Sequence, residues 1–436
     1  MGLPPEFQGA LDDPPSSELI AVLPPGSPTP SVSEALALLE ESRVGVTRVA
    51  PIAPEHPRAR WEVEIELELP GRAEPALAHA WLEPAPRELL VEGVPWRGVT
   101  PEDLDDGRSS SWAVGLRLAL GEHALVDYHF QTRLLFALCP EPLLVLDVNA
   151  VTPRPGHWLR EVAEAKVPPS PSTLFTIHDV GDDSKEGPHW LHTHGLDRCG
   201  RVELDALAIP GEVTGLVGQL MNSVAAMFLE QGIPAPDEPF SIGQDLELVW
   251  LPWAEGIRKA KNDGPGGKRD RDESHCGARA VLFVPKRGLL GKKYESLALL
   301  SPILEENPLL YVSAQETERM ALLASERLPR FFSLFDRCLD GERWLFLVKL
   351  GYAVDGAEND RDREHLWFRV HGHRPGEVDA TLLNAPYRVA QLKEGDRAHH
   401  PLELLTDWAI LCEHGRFDAD TVGELERALS HADQMH

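Results

Sequence analysis

The chain has 436 residues, with 42 Lys or Arg against 70 Asp or Glu, so its formal net charge is −28. This charge argues against nucleic acid and anionic membranes as partners, because both bind proteins through clustered Lys and Arg. No apolar run approaches the ~18–20 residues needed to span a bilayer, and the first residues lack the basic and apolar regions of a secretory signal. Five widely spaced cysteines without a C-x-x-C pair are typical of reduced thiols. We therefore expect a cytoplasmic protein that binds neither nucleic acid nor membrane.

The length and the ordinary hydrophobic content of 42% predict several α+β domains, each with its own core. Residues 1–15 are proline-rich and predict a loose N-terminal lead-in. In residues 16–150, short apolar runs alternate with helical patterns, such as the capping box of Ser31 and Glu34 before an amphipathic helix. This alternation predicts a ferredoxin-like α+β domain, in which helices cover one face of a sheet.

Residues 61–69 form the clearest predicted strand. Their apolar side chains alternate strictly with Glu62, Glu64, Glu66 and Glu68. A period of two places the apolar set on the core face and the carboxylates on the opposite face. We interpret the acidic face as a solvated sheet surface that discourages edge pairing. A surface for a cation or a basic partner is the alternative.

Residues 151–310 predict a second α+β domain. The predicted strands cover residues 174–180, 190–194, 202–207 and 246–250. Residues 213–228 predict a long amphipathic helix. Residues 255–275 show no periodicity and mix basic with acidic side chains around a Gly-Pro-Gly-Gly turn. We predict a flexible surface insertion at this charged loop, with a docking loop for an acidic partner as the alternative.

The densest cluster of reactive side chains contains His178, His192, His194 and Cys199. On a strand, His192 and His194 point to the same face, as the two histidines of an H-x-H metal pair do. Cys199 offers a thiolate and His178 a third nitrogen, and zinc takes four such ligands, or three and a water. The spacing matches no standard zinc finger, and histidines beside a tryptophan on a strand also occur as satisfied core groups. A zinc site at His192, His194 and Cys199 therefore stands as a hypothesis beside that structural interpretation.

The same cluster suits a thiol nucleophile. Cys199 lies beside Arg198, which lowers the pKa of a neighbouring thiol, and His192 or His194 offers a base. The sequence identifies no residue that would orient the base and no oxyanion hole. It contains no G-x-S-x-G elbow, no Walker A loop and no G-x-G-x-x-G fingerprint.

Residues 311–436 predict a small, mostly-β meander or half-barrel with one helix. The residues that stand out in this region are Glu364, His365, Trp367, Asn384, Asp407 and Trp408. We interpret the two tryptophans as core anchors and the asparagine as a turn residue. The three acidic or imidazole side chains are the polar members that a site would use. Their alternative role is to bond backbone groups at strand ends.

Four motifs in this region occur in a fixed order. They are E-H-L-W at 364–367, L-L-N-A-P-Y at 382–387, L-K-E-G-D at 392–396 and D-W at 407–408. Together they resemble the bacterial domain of unknown function 2314, a family that implies no established activity. The W-L-H-T-H-G-L-D-R-C-G stretch at 190–200 is similar to the larger uncharacterised bacterial domain of unknown function 4026, which often accompanies it.

The charge and the lack of a recognisable catalytic constellation favour a non-enzymatic binding or accessory protein. We expect its acidic surface to engage a protein partner. The alternative is a metal-dependent hydrolase or a thiol enzyme centred on His192, His194 and Cys199, with zinc as the candidate cofactor. A third interpretation is a scaffold that oligomerises through its sheet edges.

Overall fold

The structure, a computed structural model, describes residues 5–42, 44–90, 98–181, 187–243, 246–260, 264–272, 275, 277–288, 291–305, 314–338, 344–357 and 362–434. The chain divides into two compact units. The first comprises Met1–Ala163 and Pro171–Ser313, and the second comprises Glu164–Ser170 and Ala314–His436. Residues 16–150 and 151–310, which the sequence divides into two α+β domains, both fall largely within the first unit, and this unit contains two sheets that share a core.

The first sheet has seven strands, which follow one another in the order β2-β3-β4-β5-β1-β6-β7. The strands are β1 (Ser17–Val22), β2 (Val46–Ile52), β3 (Trp61–Leu67), β4 (Ala76–Pro84), β5 (Trp112–Leu118), β6 (Leu144–Asp147) and β7 (Thr152–Pro155). All neighbouring pairs are antiparallel. The helices of this region are α1 (Pro5–Asp12), α2 (Val32–Glu41), α3 (Pro101–Ser109), α4 (Ala124–Leu138) and α5 (Gly156–Glu164).

The predicted ferredoxin-like pattern is present in the middle of this sheet. Strands β4, β5, β1 and β6 are neighbours, with α2 after β1 and α4 between β5 and β6. If β4 is counted as the second strand of the pattern, the order of the four is 4-1-3-2. Helix α2 begins at the predicted capping box, in which Ser31 and Glu34 each accept a bond from the other's backbone N–H. The two-strand insertion β2-β3 extends one edge of the sheet, and β7 extends the other.

One carboxylate of the acidic strand is not solvated. Glu62 is buried and accepts bonds from the backbone N–H groups of Glu55 and His56. His79, its neighbour on β4, lies 3.2 Å from the same carboxylate. The prediction of a wholly solvated glutamate face is therefore wrong at Glu62, because a loop folds over this end of the strand.

The second sheet runs in the order β11-β12-β13-β10-β9-β8, and β14 pairs with β13. Its strands are β8 (Thr176–Val180), β9 (Pro188–His194), β10 (Glu203–Pro210), β11 (Phe240–Gly243), β12 (Leu246–Pro252), β13 (Arg279–Gly288) and β14 (Gly291–Glu295). Strands β10 and β13 are parallel, and the other pairs are antiparallel. The helices are α6 (Thr214–Gln231), α7 (Trp253–Ala260) and α8 (Ser301–Glu305). Helix α6 buries its predicted apolar stripe in the core that both sheets share.

The second unit contains a six-stranded antiparallel sheet in the order β18-β17-β16-β15-β19-β20. Its strands are β15 (Leu345–Ala353), β16 (Arg363–Arg374), β17 (Glu377–Leu382), β18 (Arg397–Pro401), β19 (Leu405–Cys412) and β20 (Gly415–Asp418). The long helix α9 (Ala314–Cys338) packs on β19, where the buried Trp408 donates its indole N–H to the carbonyl oxygen of Ala324. A final helix, α10 (Val422–Gln434), ends the described chain. The predicted α+β class is confirmed, and this sheet does not close into a barrel within the described residues.

Among the described residues, no helix combines the length and the apolar character that a membrane crossing requires.

A candidate metal site on the second sheet

Three histidines meet on one face of the second sheet because of the pairing of β8 with β9. His178 lies directly opposite His192 in the strand register. His194 follows two residues along β9 and therefore points to the same face. The ring centres of His192 and His194 are 5.0 Å apart, and those of His178 and His194 are 5.1 Å apart. This part of the predicted cluster is assembled in the structure.

A fourth histidine reaches the same place from the charged loop. The Nε2 atom of His275 lies 3.3 Å from Nε2 of His192, and its ring centre is 5.0 Å from that of His194. One ring nitrogen from each of His192, His194 and His275 lies within 4.8 Å of the other two, and this is the one such group of His, Cys, Asp or Glu among the described residues. The candidate site therefore consists of these three residues, hereafter the histidine triplet.

The charged loop is held on the sheet by one buried cation. The side chain of Arg271 is 1% exposed and forms an ion pair of 3.0 Å with Asp205. Its guanidinium group lies 5.0 Å from the ring centre of Trp190 and 5.4 Å from that of Trp253. It also donates a bond of 3.0 Å to the carbonyl oxygen of His275. Residues 255–260 of the predicted flexible insertion thus belong to α7, and Arg271 holds the part around His275 against the sheet.

A glycine lets the loop approach the sheet closely. Gly266 has φ +83°, and a Cβ atom there would lie 2.6 Å from Cγ of Trp190 and 2.7 Å from Cδ2 of Leu207. Both the backbone conformation and the lack of space therefore require glycine. Arg271 donates to the carbonyl oxygen of this glycine at 3.1 Å, which fixes the turn.

Asp205 is a buried anion on the same face of the sheet, opposite His192 in the strand register. It accepts bonds from the indole N–H of Trp190 at 2.9 Å and from Arg279 at 3.2 Å, in addition to its ion pair with Arg271. Burial alone would raise the pKa of Asp205, but the two guanidinium groups outweigh this effect and lower it. The carboxylate is therefore ionised, and it joins β9, β10, β13 and the loop.

The surroundings keep the strand histidines neutral. Burial is the largest cause that lowers the pKa of His192 far below its usual range, and the neighbouring imidazole of His194 adds to it. Burial, followed by the charge of Arg279, lowers the pKa of His194 to about 3. Neutral imidazole is the form that binds a metal ion, because its ring nitrogen then carries a free electron pair.

The ring orientations of the triplet have separate causes. Nδ1 of His275 lies 2.8 Å from a carboxylate oxygen of Asp272, a contact that directs the N–H to Nδ1 and leaves Nε2 as the acceptor. The ring of His192 stacks on Trp190 with 3.9 Å between ring centres. His178 is not part of the triplet, and its Nε2 lies 3.3 Å from the carbonyl oxygen of Ala150.

One distance within the triplet fits a tetrahedral metal. Zinc binds imidazole nitrogen at about 2.0–2.1 Å, so two ligands of a tetrahedron lie about 3.3–3.4 Å apart. The observed separation of the two Nε2 atoms of His192 and His275 is 3.3 Å. The third ligand, His194, lies within the same group. Three imidazole ligands would leave a fourth position for water or substrate.

The triplet opens into a cavity of about 1180 Å³. Strands β8 and β9 form one wall, the charged loop forms a second, and Val151 from the turn between β6 and β7 lies at a third side. Lys268 and Arg269 of the loop also line the cavity. A metal ion held by the triplet would therefore be accessible to a small molecule.

The two remaining members of the predicted cluster, Arg198 and Cys199, serve the core. Arg198 is fully buried, forms a two-bond ion pair with Asp147 at 2.8 and 3.0 Å, and lies over the ring of Tyr128. Its charge is thus neutralised by Asp147. Burial is the main cause that raises the pKa of the Cys199 thiol to about 12. A thiol in this state does not suit a nucleophile, and Cys199 is absent from the group of ligands that the described residues bring together.

The polar motif residues of the second unit bond to backbone N–H groups or, in one case, to a hydroxyl group. The carboxylate of Glu364 accepts the backbone N–H groups of residues 387 and 388 at 2.7 and 2.8 Å. Asn384 accepts the backbone N–H of Trp367 at 3.0 Å. His365 bonds the hydroxyl of residue 406 at 3.0 Å, and Asp407 accepts the backbone N–H of the following residue at 2.8 Å. These contacts tie the 384–388 loop and β19 to the sheet rather than gathering the four side chains at one point.

Sequence reasoning did not assign His275, Asp272 or Arg271 to the site. His275 is 83 positions from His192, and no local periodicity connects the two. The available signal was the coincidence of a tryptophan at 253, a Gly-Pro-Gly-Gly turn and a histidine in one region. Cys276, next to this histidine, lies outside the described residues.

Comparison with known protein families finds three matches along the chain. Residues 82–169 match the family described as protein of unknown function (DUF4026) N-terminal, and residues 177–283 match the DUF4026 C-terminal family. Residues 323–436 match the uncharacterized protein conserved in bacteria (DUF2314). The chain thus resembles the DUF4026 families in segments between residues 82 and 283, and the DUF2314 family over residues 323–436. Both predicted resemblances are thereby confirmed.

The histidine triplet, Asp205 and Arg271 all lie within the part that matches the DUF4026 C-terminal family. The four motifs at 364–408 lie within the DUF2314 match. The descriptions of these families state no activity. Searches of the curated proteins and of the solved structures each found no significant match.

Proposed function

We propose that the DUF4026 region of this protein binds one divalent transition-metal ion, with zinc as the best-suited ion, and uses it for hydrolysis of a small molecule. The ligands are His192, His194 and His275. The single observation that carries the proposal is the convergence of three ring nitrogens within 4.8 Å, including a pair at the 3.3 Å expected of a tetrahedral zinc site.

The chemistry of the ligands supports a catalytic rather than a structural site. Structural zinc sites are closed by four protein ligands, whereas catalytic sites keep three and an open position. The histidine triplet supplies three and lines a cavity. A zinc ion on three histidines lowers the pKa of water in its fourth position to about 7 and so provides a nucleophile at neutral pH.

The surrounding residues have separate roles in this proposal. Asp272 orients His275 through its Nδ1, and Trp190 holds the ring of His192 by stacking. Arg271 carries the loop that brings His275 to the strand pair. His178 lies beside the triplet but is not a ligand, and its Nε2 atom lies 3.3 Å from the carbonyl oxygen of Ala150.

The test is the metal content of protein purified without a metal-affinity tag, measured by inductively coupled plasma mass spectrometry. We expect close to one equivalent of zinc per chain in the natural protein. We expect less than about one tenth of it in His192→Ala/His194→Ala, because removing two of three ligands eliminates the tetrahedral site. His275→Ala should also lose most of the metal.

Two matched variants define which ligands are used. His178→Ala and Cys199→Ala should both retain the zinc, because neither residue belongs to the triplet. Zinc that disappears from Cys199→Ala but persists in His275→Ala would favour the ligand set predicted from sequence. Natural protein that is folded yet takes up no metal on dialysis against zinc would contradict the proposal.

A second proposal rests on the net charge of −28. In it, the protein is cytoplasmic and its acidic surface binds a basic protein partner. Glu64 and Glu66 on β3, which are partly exposed, are candidates for that surface. A defined partner should then be released by high salt and bind more weakly to Glu64→Gln/Glu66→Gln. A partner that is insensitive to both changes would contradict this proposal.

A further inference from the structure

We propose that the cavity at the histidine triplet binds an amphipathic anion. Its carboxylate or phosphate group lies toward the triplet, and its apolar part lies against Val151 and Val180. This inference rests on the metal site proposed above and names the class of substrate for that site.

The apolar part of the argument concerns the rim of the cavity. Val151 and Val180 are 49% and 43% exposed, and both line the cavity. They come from different sheets, since one lies in the turn before β7 and the other ends β8. Ile257 of α7 lines the same space and is itself buried. Two solvent-exposed valines beside a buried isoleucine offer an apolar wall, which is the usual lining of a small-molecule site.

The backbone at Val151 supports a functional role for that wall. Its φ angle is +50°, a conformation that a β-branched residue rarely adopts and that costs on the order of 1–3 kcal/mol. The surrounding turn maintains it, because the N–H of Val151 bonds the carbonyl oxygen of Val148 and the N–H of Ala150 bonds the carboxylate of Asp147. The strained residue exposes an apolar side chain to the cavity, where asparagine or glycine would be the unstrained choice.

The anionic part of the argument is a charge balance. The charged side chains that line the cavity are Lys268, Arg269, Asp179 and Asp270, and they balance one another. One carboxylate oxygen of Asp179 is already bonded to the ring of His189 at 2.7 Å. An imidazole ligand brings no negative charge to a metal ion, so the triplet would leave the two positive charges of a bound divalent ion uncompensated. A ligand that brings negative charge to the metal, within reach of donors on the charged loop, therefore binds better than a neutral one.

The experiment uses the full chain loaded with cobalt, because the visible spectrum of cobalt reports ligands that enter its coordination sphere. Acetate, hexanoate, hexyl phosphate and hexanol are titrated at constant ionic strength. We expect hexanoate, hexyl phosphate or both to bind at least about tenfold more tightly than acetate and hexanol, since only they combine both parts. The preference between hexanoate and hexyl phosphate identifies the head group as carboxylate or phosphate.

Variants separate the two parts of the ligand. Val180→Ser should weaken the binding of hexanoate by about fivefold and leave the binding of acetate unchanged. Lys268→Gln/Arg269→Gln should weaken the binding of both hexanoate and acetate by about threefold or more. The control Lys292→Gln/Lys293→Gln makes the same change of charge on exposed side chains that do not line the cavity, and it should bind hexanoate as the natural protein does.

Cobalt stoichiometry is measured first for every protein, so the two proposals fail in different ways. A natural protein that binds no cobalt or zinc contradicts the metal site and, with it, the substrate class. Cobalt-loaded protein that binds hexanol as tightly as hexanoate, or acetate as tightly as hexanoate, overturns the amphipathic anion and leaves the metal site standing.

Discussion

Arg271→Met is the substitution that tests most directly how the site is assembled. Arg271 is 1% exposed, and its partner Asp205 is fully buried. Methionine keeps the unbranched stem between Trp190 and Trp253 but removes the charge and the donors. The loop then loses its ion pair and its bond from Arg271 to the carbonyl oxygen of His275.

The size of the effect follows from what remains after the substitution. Breaking a buried ion pair by removing one partner costs about 3–5 kcal/mol when the other charge is left alone. Asp205 keeps Arg279 and the indole N–H of Trp190, so the lower end of that range applies. A loss of about 3 kcal/mol in loop docking corresponds to about a 100-fold weaker metal affinity, because docking places the third ligand.

The assay is zinc affinity by competition with a chelating dye, together with urea unfolding of the same samples. Arg258→Met is the matched control, since Arg258 is an exposed arginine on α7 and does not line the cavity. Its affinity should equal that of the natural protein. If Arg271→Met is folded and binds zinc with unchanged affinity, either the buried cation does not position the loop or His275 is not a ligand. His275→Ala then decides between these two explanations.

Three further predictions concern single positions. Gly266→Ala should lower zinc affinity by about tenfold or more, because its Cβ would collide with Trp190; Gly277→Ala, with φ +93° and open space around it, controls for backbone strain alone. Asp272→Asn should weaken zinc binding by about tenfold through loss of the carboxylate contact to the third ligand, and an unchanged dissociation constant would refute that role. In the second unit, burial raises the pKa of Asp407 to about 6. The folded state therefore binds this proton more tightly than the unfolded state, and the free energy of unfolding should fall as the pH rises from about 4 to about 6. Asp407→Asn should remove that fall and stabilise the unit by about 1–3 kcal/mol at pH 7, as measured by urea unfolding at several pH values; equal pH profiles for both proteins would contradict the assignment.

Sequence patterns captured the parts of this protein that depend on local periodicity. The capping box at Ser31 begins α2, the alternating residues after Trp61 form β3, and the H-x-H spacing places His192 and His194 on one face. In each case, the period of a strand or the chemistry of a helix cap fixes the direction of the side chain. Pattern was also sufficient for the α+β class.

Sequence patterns failed where distant segments meet. The proximity of His178 and His192 could be predicted because their strands are neighbours along the chain. His275 lies on a loop whose path is set by Arg271 and Gly266. The prediction that Glu62 is solvated was wrong for the same reason, because a loop covers one end of β3. A charged residue in a loop is usually solvated, and the position of Arg271 is favourable because Asp205 supplies a buried carboxylate and two tryptophan rings cover the guanidinium group.

The histidine triplet combines two kinds of support. His192 and His194 belong to a strand inside a seven-stranded sheet, and their spacing varies only as far as that sheet deforms. The position of His275 depends on the loop, and the loop is held by the ion pair between Arg271 and Asp205. Asp205 belongs to β10 and lies opposite His192 in the strand register. Zinc affinity is therefore expected to measure loop docking as well as ligand chemistry, because a site with two ligands binds zinc weakly and only the docked loop provides the third. Substitutions at Arg271 and Gly266 should consequently change metal affinity although they replace no ligand. Substitutions of similar size on α7 that leave the loop in place should not change it.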